Sequence, residues 1–471
     1  MHVIVIGGGI AGLAAAHRLR TSGARVTVLE ASHHFGGKLL SGEVAGARID
    51  LGAESMLAVR PEGTALAEAV GLGEALRPPA VAAASVWTGG GLRPMPGGHV
   101  MGVPGTPGAL AGLLSEAGTA RVAEEAGLPP LELGEDAAIG EVVAGRMGRE
   151  VVDKLVEPLL GGVYAGDAHR LSMRSTVPAL FDAARSEKSL LAAVREVQRR
   201  APGRAPGQAV FTGVEGGLGA LAEAVAASCR AAGATLESGV AVTALRRTSQ
   251  GWTVTSEDGR ERAADGVVVA VPAGPAARLL AAEVPAAARE LAGIEYASMA
   301  LVTLAFDRGF LERDLGSLPG GSGFLVPAVE GRTVKAATFS SGKWGWVAER
   351  APGLFLLRAS IGRYGDRTAL EWTDEELVRA ALADLRDAIG PVGEPVDSAV
   401  TRWIDGLPQY AVGHHARVER VRRAVEGVPG LRVCGAAYEG VGIPACVADA
   451  GRAAGGLLAT LPHSSPEEAG E

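Results

Sequence analysis

The chain has 471 residues, of which 47% are apolar and 21% charged, and its net charge is −8. That length exceeds one compact core and predicts two domains, while the apolar and charged fractions are those of an ordinary globular protein. The acidic balance argues against generic nucleic-acid binding, and the lack of an uninterrupted apolar run of about 18 residues argues against a membrane-spanning helix. Met1 and His2 run directly into an apolar strand with no basic stretch or cleavage site, so no signal peptide is expected. The three cysteines, Cys229, Cys434 and Cys446, are odd in number and far apart. Without a C-x-x-C pair they predict neither a disulfide framework nor a metal site, and they point to a reducing, cytoplasmic compartment. Asn is absent and Arg greatly outnumbers Lys, a bias expected of GC-rich bacterial codons.

Residues 1–30 read as a strand, a Gly-rich turn, an Ala-rich helix over 13–20 and a second strand over 25–29. The stretch 48–55 reads as a continuation of the same site. Many Gly and Pro predict a loop-rich crossing over 85–107, and mostly helical periodicity follows over 109–200. The composition of 201–207 is that of a linker. Next come a helix over 218–232, a strand near 235–236, and an alternating pair (240–245 and 252–256) around a turn at Ser249, Gln250 and Gly251. A buried strand over 266–271 ends at Pro272. Residues 295–395 mix strands (301–306, 354–359) with a helix over 374–389. A last strand, 431–435, meets a Gly-rich turn and a helix over 445–458, and the polar tail from Pro462 is predicted to be disordered.

The turn after the first strand carries Gly7, Gly8, Gly9, Ile10, Ala11 and Gly12. Its G-x-G-x-x-G spacing gives a tight turn, close approach of a pyrophosphate to backbone, and close strand–helix packing, with the phosphate on the helix N-terminus. Glu30 ends the second strand about twenty residues on, where a carboxylate can accept bonds from ribose hydroxyls. Strand, turn, helix, second strand and acid together predict a Rossmann-like dinucleotide-binding unit. Gly36, Gly37 and Lys38 then precede Asp50-Leu-Gly-Ala-Glu-Ser55, and this extension resembles flavoproteins of the amine oxidase superfamily, in which glycines and a cation border the flavin diphosphate.

The segment from Cys434 to Arg452, with its strand, Gly-rich loop and helix, can set N–H groups and a positive helix end beside an electron-rich flavin edge. It resembles the FAD closure of bacterial protoporphyrinogen and coproporphyrinogen oxidases. So do Asp50-Leu-Gly-Ala-Glu-Ser-Met56, Gly161-Gly-Val-Tyr-Ala-Gly-Asp167 and Leu407-Pro-Gln-Tyr-Ala-Val-Gly-His414, in collinear order from Met1 to about Leu458. The resemblance implies an α/β fold with an α+β second domain: a Rossmann-like FAD-binding domain (1–82, 210–275 and 395–461) interleaved with a substrate-binding domain (83–209 and 276–394). It implies FAD contacts at 7–12, Glu30, Lys38, Gly52, Ala53, Glu54, Ser55, the Val240 backbone, Trp403, and Val441, Gly442 and Ile443.

The same resemblance implies oxidation of a porphyrinogen to a porphyrin in three two-electron steps, with O2 as acceptor and H2O2 as product. Members from Gram-positive bacteria act mainly on coproporphyrinogen III, which carries four propionates, whereas protoporphyrinogen IX carries two and two vinyls. Tyr164, in a Gly-rich loop, is a candidate wall of the substrate cavity. Lys343 is a candidate partner for a substrate carboxylate, although a solvated lysine is the plainer reading. No side chain is singled out as a general base, and no metal is expected.

A flavin amine oxidase is the nearest rival, but its aromatic cage would place an aromatic where Ile443 stands before Pro444, and the chain has only five tyrosines. A carotene desaturase would need an apolar membrane-attachment stretch. A non-enzymatic flavin-binding protein would need the Rossmann unit but not the two long stretches outside it. Cys434 and Cys446 raise covalent attachment of the flavin, but a buried Cys at the end of an apolar strand is the plainer reading and non-covalent FAD is expected. His414 and His415, being adjacent, do not share a face and read as a surface turn.

Overall fold

A computed structural model describes residues 1–110, 112–201 and 209–461. Apart from Ala201, the linker at 201–207 lies outside the described residues, as does the tail from Pro462. The architecture rests on two sheets. The first is parallel and five-stranded, in the order Thr235–Ser238, Arg25–Glu30, His2–Ile6, Gly266–Val269 and Leu431–Val433. Its central strands are almost continuous runs of β-branched residues buried on both sides, as an α/β sheet covered on both faces requires. Val3, Ile4, Val5, Val267, Val268 and Val269 are all fully enclosed. The helices Ile10–Thr21, Gly219–Ala231 and Ile443–Leu458 pack over one face.

The second sheet is seven-stranded and mostly antiparallel: Asp397–Pro408, Tyr296–Asp307, Leu354–Ile361, Val334–Thr338, Gly323–Leu325, Ala84–Thr88 and Gly91–Pro94. Two expectations change here. The Gly- and Pro-rich stretch 85–107 is not simply a loop, because 84–94 forms a hairpin recruited to this sheet by pairing with 323–325. The strand 397–408 pairs along its length with 296–307, so that segment lies in the antiparallel sheet and not beside the parallel one.

Residues 116–200 are mostly helical and share an apolar core with Val86, Val103, Leu110, Leu113 and Tyr410. The helix Asp374–Ile389 is bounded as its sequence predicts, since Thr373 and Glu376 form a reciprocal capping box at its start and Gly390 ends it. The strands Val242–Thr248 and Gly251–Ser256 form the expected hairpin.

Candidate functional site

The nucleotide turn is built around atoms with no room to spare. Gly7 has φ +104°, and a Cβ there would lie 2.6 Å from the Ala270 carbonyl oxygen. A Cβ on Gly12 would lie 1.9 Å from the Gly7 carbonyl oxygen. Around Gly9, by contrast, no atom comes closer than 4.0 Å to such a Cβ, so this face is open to a ligand. The helix Ile10–Thr21 has Gly9 as N-cap and no side-chain cap, which leaves its first N–H groups available to an anion.

Glu30 closes the turn. One carboxylate oxygen accepts from Gly8 N at 2.6 Å and the other from Ser32 N at 2.8 Å. The Val240 N–H donates to the Glu30 carbonyl at 2.8 Å, so Val240 lies directly beside the end of that strand. The Gly36–Gly37 turn sits over the first, with Gly36 N donating to the Gly8 carbonyl at 2.8 Å. Next to it, Lys38 is half-buried and has no ion pair among the described residues. Burial lowers its pKa, partly offset by the nearby Cys446. A cation left without a carboxylate beside an uncapped helix start suits a diphosphate.

The strip 50–55 is fixed by backbone and by charge. Ala53 N donates to the Lys38 carbonyl at 2.9 Å, and the Trp403 indole N–H donates to the Leu51 carbonyl at 3.1 Å. A Cβ on Gly52 would lie 2.1 Å from the Lys38 carbonyl oxygen and 3.1 Å from the Trp403 ring. Glu54 is held by two cations, Lys343 Nζ at 2.6 Å and Arg358 Nη1 at 3.2 Å. Burial pushes its carboxyl up, but the two cations outweigh burial and hold it below the usual carboxylate range. Lys343 is therefore neither solvated nor free, because its ammonium is committed to Glu54. Arg358 also donates to the carbonyls of Asp50 (3.0 Å) and Gly52 (2.8 Å). Asp50, buried at 3% exposure, accepts from Ser41 and from the N–H groups of Leu218 and Gly219, and burial raises its pKa to about 6.

The third wall is the loop before the helix Ile443–Leu458. Gly435 lies against Ala11 of the nucleotide helix, and Gly442 is an N-cap with no side-chain cap. A Cβ on Gly63 would lie 2.8 Å from Met56 Sδ and 3.7 Å from Ile443 Cγ2, which sets Ile443 next to the 50–56 strip. The turn 7–12, Lys38, the strip 52–55, Trp403 and the loop 441–443 thus converge from five separate chain segments. Tyr164, at the end of the helix Glu157–Tyr164 and only 6% exposed, packs in the helical core against which Val441 also rests. Burial raises the Tyr164 hydroxyl to about 12, with Arg60 opposing.

Cys434 and Cys446 are enclosed, and burial raises both thiols, that of Cys446 to about 12. His414 is not in a surface turn. It begins the helix His414–Glu426 with 3% exposure, stacked on Tyr410 at 4.0 Å with 13° between planes. Its Nε2 lies 3.1 Å from the Tyr438 carbonyl, so Nε2 carries the proton. Burial lowers its pKa from 6.5 to about 4. The unfolded state therefore binds the extra proton first, and stability that is complete above pH 6.5 is lost as the pH falls toward 4. Between pH 7 and 5 the wild type is expected to lose about 2 kcal/mol more unfolding free energy than His414→Phe, measured by urea titration. Equal losses would contradict this. Asp50, Arg358 and Tyr410 were not singled out in the sequence, although Asp50 and Tyr410 stand within motifs quoted above.

With that geometry in place, the comparisons decide the family. A model of the family described as flavin containing amine oxidoreductase matches residues 10–458. The chain belongs to that family. A coproporphyrinogen III oxidase from Mycobacterium leprae is 37% identical, covering 97% of this chain and 98% of the relative. A crystal structure from Exiguobacterium, provisionally assigned as a protoporphyrinogen oxidase, superposes with a TM-score of 0.84 at 33% identity, covering 96% of this chain and 98% of the other. A putrescine oxidase variant superposes with a TM-score of 0.70 at 17% identity, covering 97% and 98%, a likeness of fold alone. The chain is accordingly a flavin-family oxidoreductase with the amine oxidase superfamily fold. No described helix is long and apolar enough to cross a membrane.

Proposed function

We propose that the chain oxidises coproporphyrinogen III to coproporphyrin III in heme biosynthesis, with non-covalently bound FAD and with O2 as acceptor giving H2O2. The observation that carries this reading is the near full-length similarity to the coproporphyrinogen III oxidase of Mycobacterium leprae. The residues present fit FAD. The uncapped N–H groups of the 7–12 turn and the unpaired Lys38 suit its diphosphate. In this reading Glu30 would accept from the ribose hydroxyls, and the Val240 backbone, bonded to the Glu30 carbonyl, would meet the adenine. The strip 52–55 with Trp403, and the loop 441–443, suit the isoalloxazine. When bound, FAD accepts two electrons from a substrate carbon and returns them to O2.

The chain's own part is binding and orientation. Tyr164 forms a wall near Val441. Arg60, exposed and without an ion pair among the described residues, acts on its hydroxyl and suits a propionate. Pyrrole N–H groups can release their protons to water, so no base is assigned. Non-covalent binding is supported by the thiols, because a nucleophilic cysteine needs its thiolate. Cys446 instead lies 3.7 Å from the Gly440 carbonyl. The FAD unit of this reading comprises 1–82, 210–275 and 395–461, the remainder forms the substrate unit, and the compartment is the cytoplasm.

A tetra-acid fitted to local cations should be preferred, since unpaired buried polar partners cost more than lost apolar contact. Coproporphyrinogen III is expected to show the higher kcat/KM, with H2O2 formed and primary amines inert. Added salt should weaken its binding more than that of protoporphyrinogen IX. Steady-state assays of both substrates at two ionic strengths check this, and a preference for protoporphyrinogen IX would overturn the choice of substrate.

A further inference from the structure

Residues 409–414 run between the helical wall and the flavin-edge loop and bond to both. Gln409 Nε2 donates to the Tyr164 carbonyl at 2.8 Å, Ser172 N donates to the Tyr410 carbonyl at 2.7 Å, and Gly413 N donates to Asp136 Oδ2 at 2.8 Å. On the other side the Tyr410 hydroxyl, on a fully buried side chain, donates to the Ala436 carbonyl at 2.6 Å and accepts from Gly440 N at 2.8 Å. One hydroxyl thus clamps both ends of the loop 436–440. The ring cannot swing away, because it is stacked on His414 on one side and meets Tyr164 at 5.4 Å. His414 in turn bonds to the Tyr438 carbonyl inside the same loop. Gly440 has φ +140°, a region open to glycine but not to other residues, and the backbone freedom of glycine leaves the loop to be fixed here by its contacts. Immediately beyond it lie the uncapped N–H groups at the start of the helix Ile443–Leu458.

We propose that Tyr410 is a positioning residue: its hydroxyl fixes the 436–440 loop so that the N–H groups at 441–443 meet the electron-rich edge of the flavin. This rests on the flavin placement proposed above. N–H groups aimed at that edge favour the reduced, more negative form, so loosening them lowers the potential. Tyr410→Phe keeps the ring stack and removes only the hydroxyl.

In the holoenzyme, Tyr410→Phe should raise the exchange rate of the Gly440 amide about tenfold. It should also weaken binding of reduced relative to oxidised FAD about tenfold, read as a fall of about 30 mV in the two-electron midpoint potential. Tyr164→Phe, which leaves the clamp untouched, should change neither. Unchanged exchange and potential in Tyr410→Phe would overturn the proposal and leave Tyr410 a packing residue. Should that variant not fold, the wild-type holoenzyme decides: the Gly440 amide must exchange as slowly as the core strand 431–433, and faster exchange overturns the clamp. Neither readout uses a substrate, so failure of the porphyrinogen reading would appear separately, as wild-type flavin that porphyrinogens do not reduce.

Discussion

Gly12→Ala is expected to raise the dissociation constant of the proposed FAD by at least about 100-fold. The new methyl would sit 1.9 Å from the Gly7 carbonyl oxygen and 3.4 Å from the Ala270 side chain. Gly7 cannot retreat: its N–H is bonded to the Leu29 carbonyl at 2.8 Å, and its far side already faces the Ala270 carbonyl. The helix must therefore move off the strand, taking its first N–H groups out of register with the diphosphate. Overpacking of this kind costs about 1–3 kcal/mol. Charge-assisted phosphate bonds lost as the helix shifts add about 1.5–3 kcal/mol each, and every 1.4 kcal/mol is roughly tenfold in affinity. Flavin fluorescence titration measures the effect, with circular dichroism confirming that the helices persist. An unchanged dissociation constant would mean that the turn does not hold the diphosphate.

Glu54→Gln is expected to destabilise the protein by about 3–5 kcal/mol, the cost of breaking one side of a buried ion pair. The substitution preserves shape but leaves Lys343 and Arg358, exposed by only 17% and 8%, without their anion. Arg358 keeps the carbonyls of Asp50 and Gly52, so most of the loss falls on Lys343. Removing that orphaned cation as well, in Glu54→Gln/Lys343→Met, should recover a large part. Because Glu54 ties the strip 50–55 to the antiparallel sheet, the single variant should also lose its flavin more readily on dilution. A loss below about 1 kcal/mol in urea unfolding would show that the pair behaves like a surface salt bridge.

Local signals were legible in the sequence and non-local ones were not. The nucleotide turn, the capped helix 374–389 and the C-terminal strand, turn and helix each declare themselves within about twenty residues, through glycine spacing, caps and periodicity. The edge hairpin 84–94 sets Val86, Trp87 and Thr88 beside Gly89, Gly90, Gly91 and Pro94, which read as a loop, and 323–325 supplies its ladder. The strand 397–408 follows a Pro-rich turn that suits either domain, and only its pairing with 296–307 places it. Lys343 looks like a surface lysine because the carboxylate that buries it lies 289 residues away. His414 stands in a polar helix and is buried only because its first turn tucks beneath Tyr410. The residues of the nucleotide turn could be named from spacing, whereas the charge partners that brace the strip beside it depend on chain segments that meet only in the folded protein.

The most direct test of porphyrinogen oxidation is anaerobic mixing of the purified flavoprotein with coproporphyrinogen III while the visible spectrum is followed. The oxidised-flavin band should bleach as a porphyrin band rises, and admission of O2 should restore the flavin with formation of H2O2. A flavin that stays oxidised with coproporphyrinogen III and protoporphyrinogen IX but is bleached by a primary amine would contradict the account.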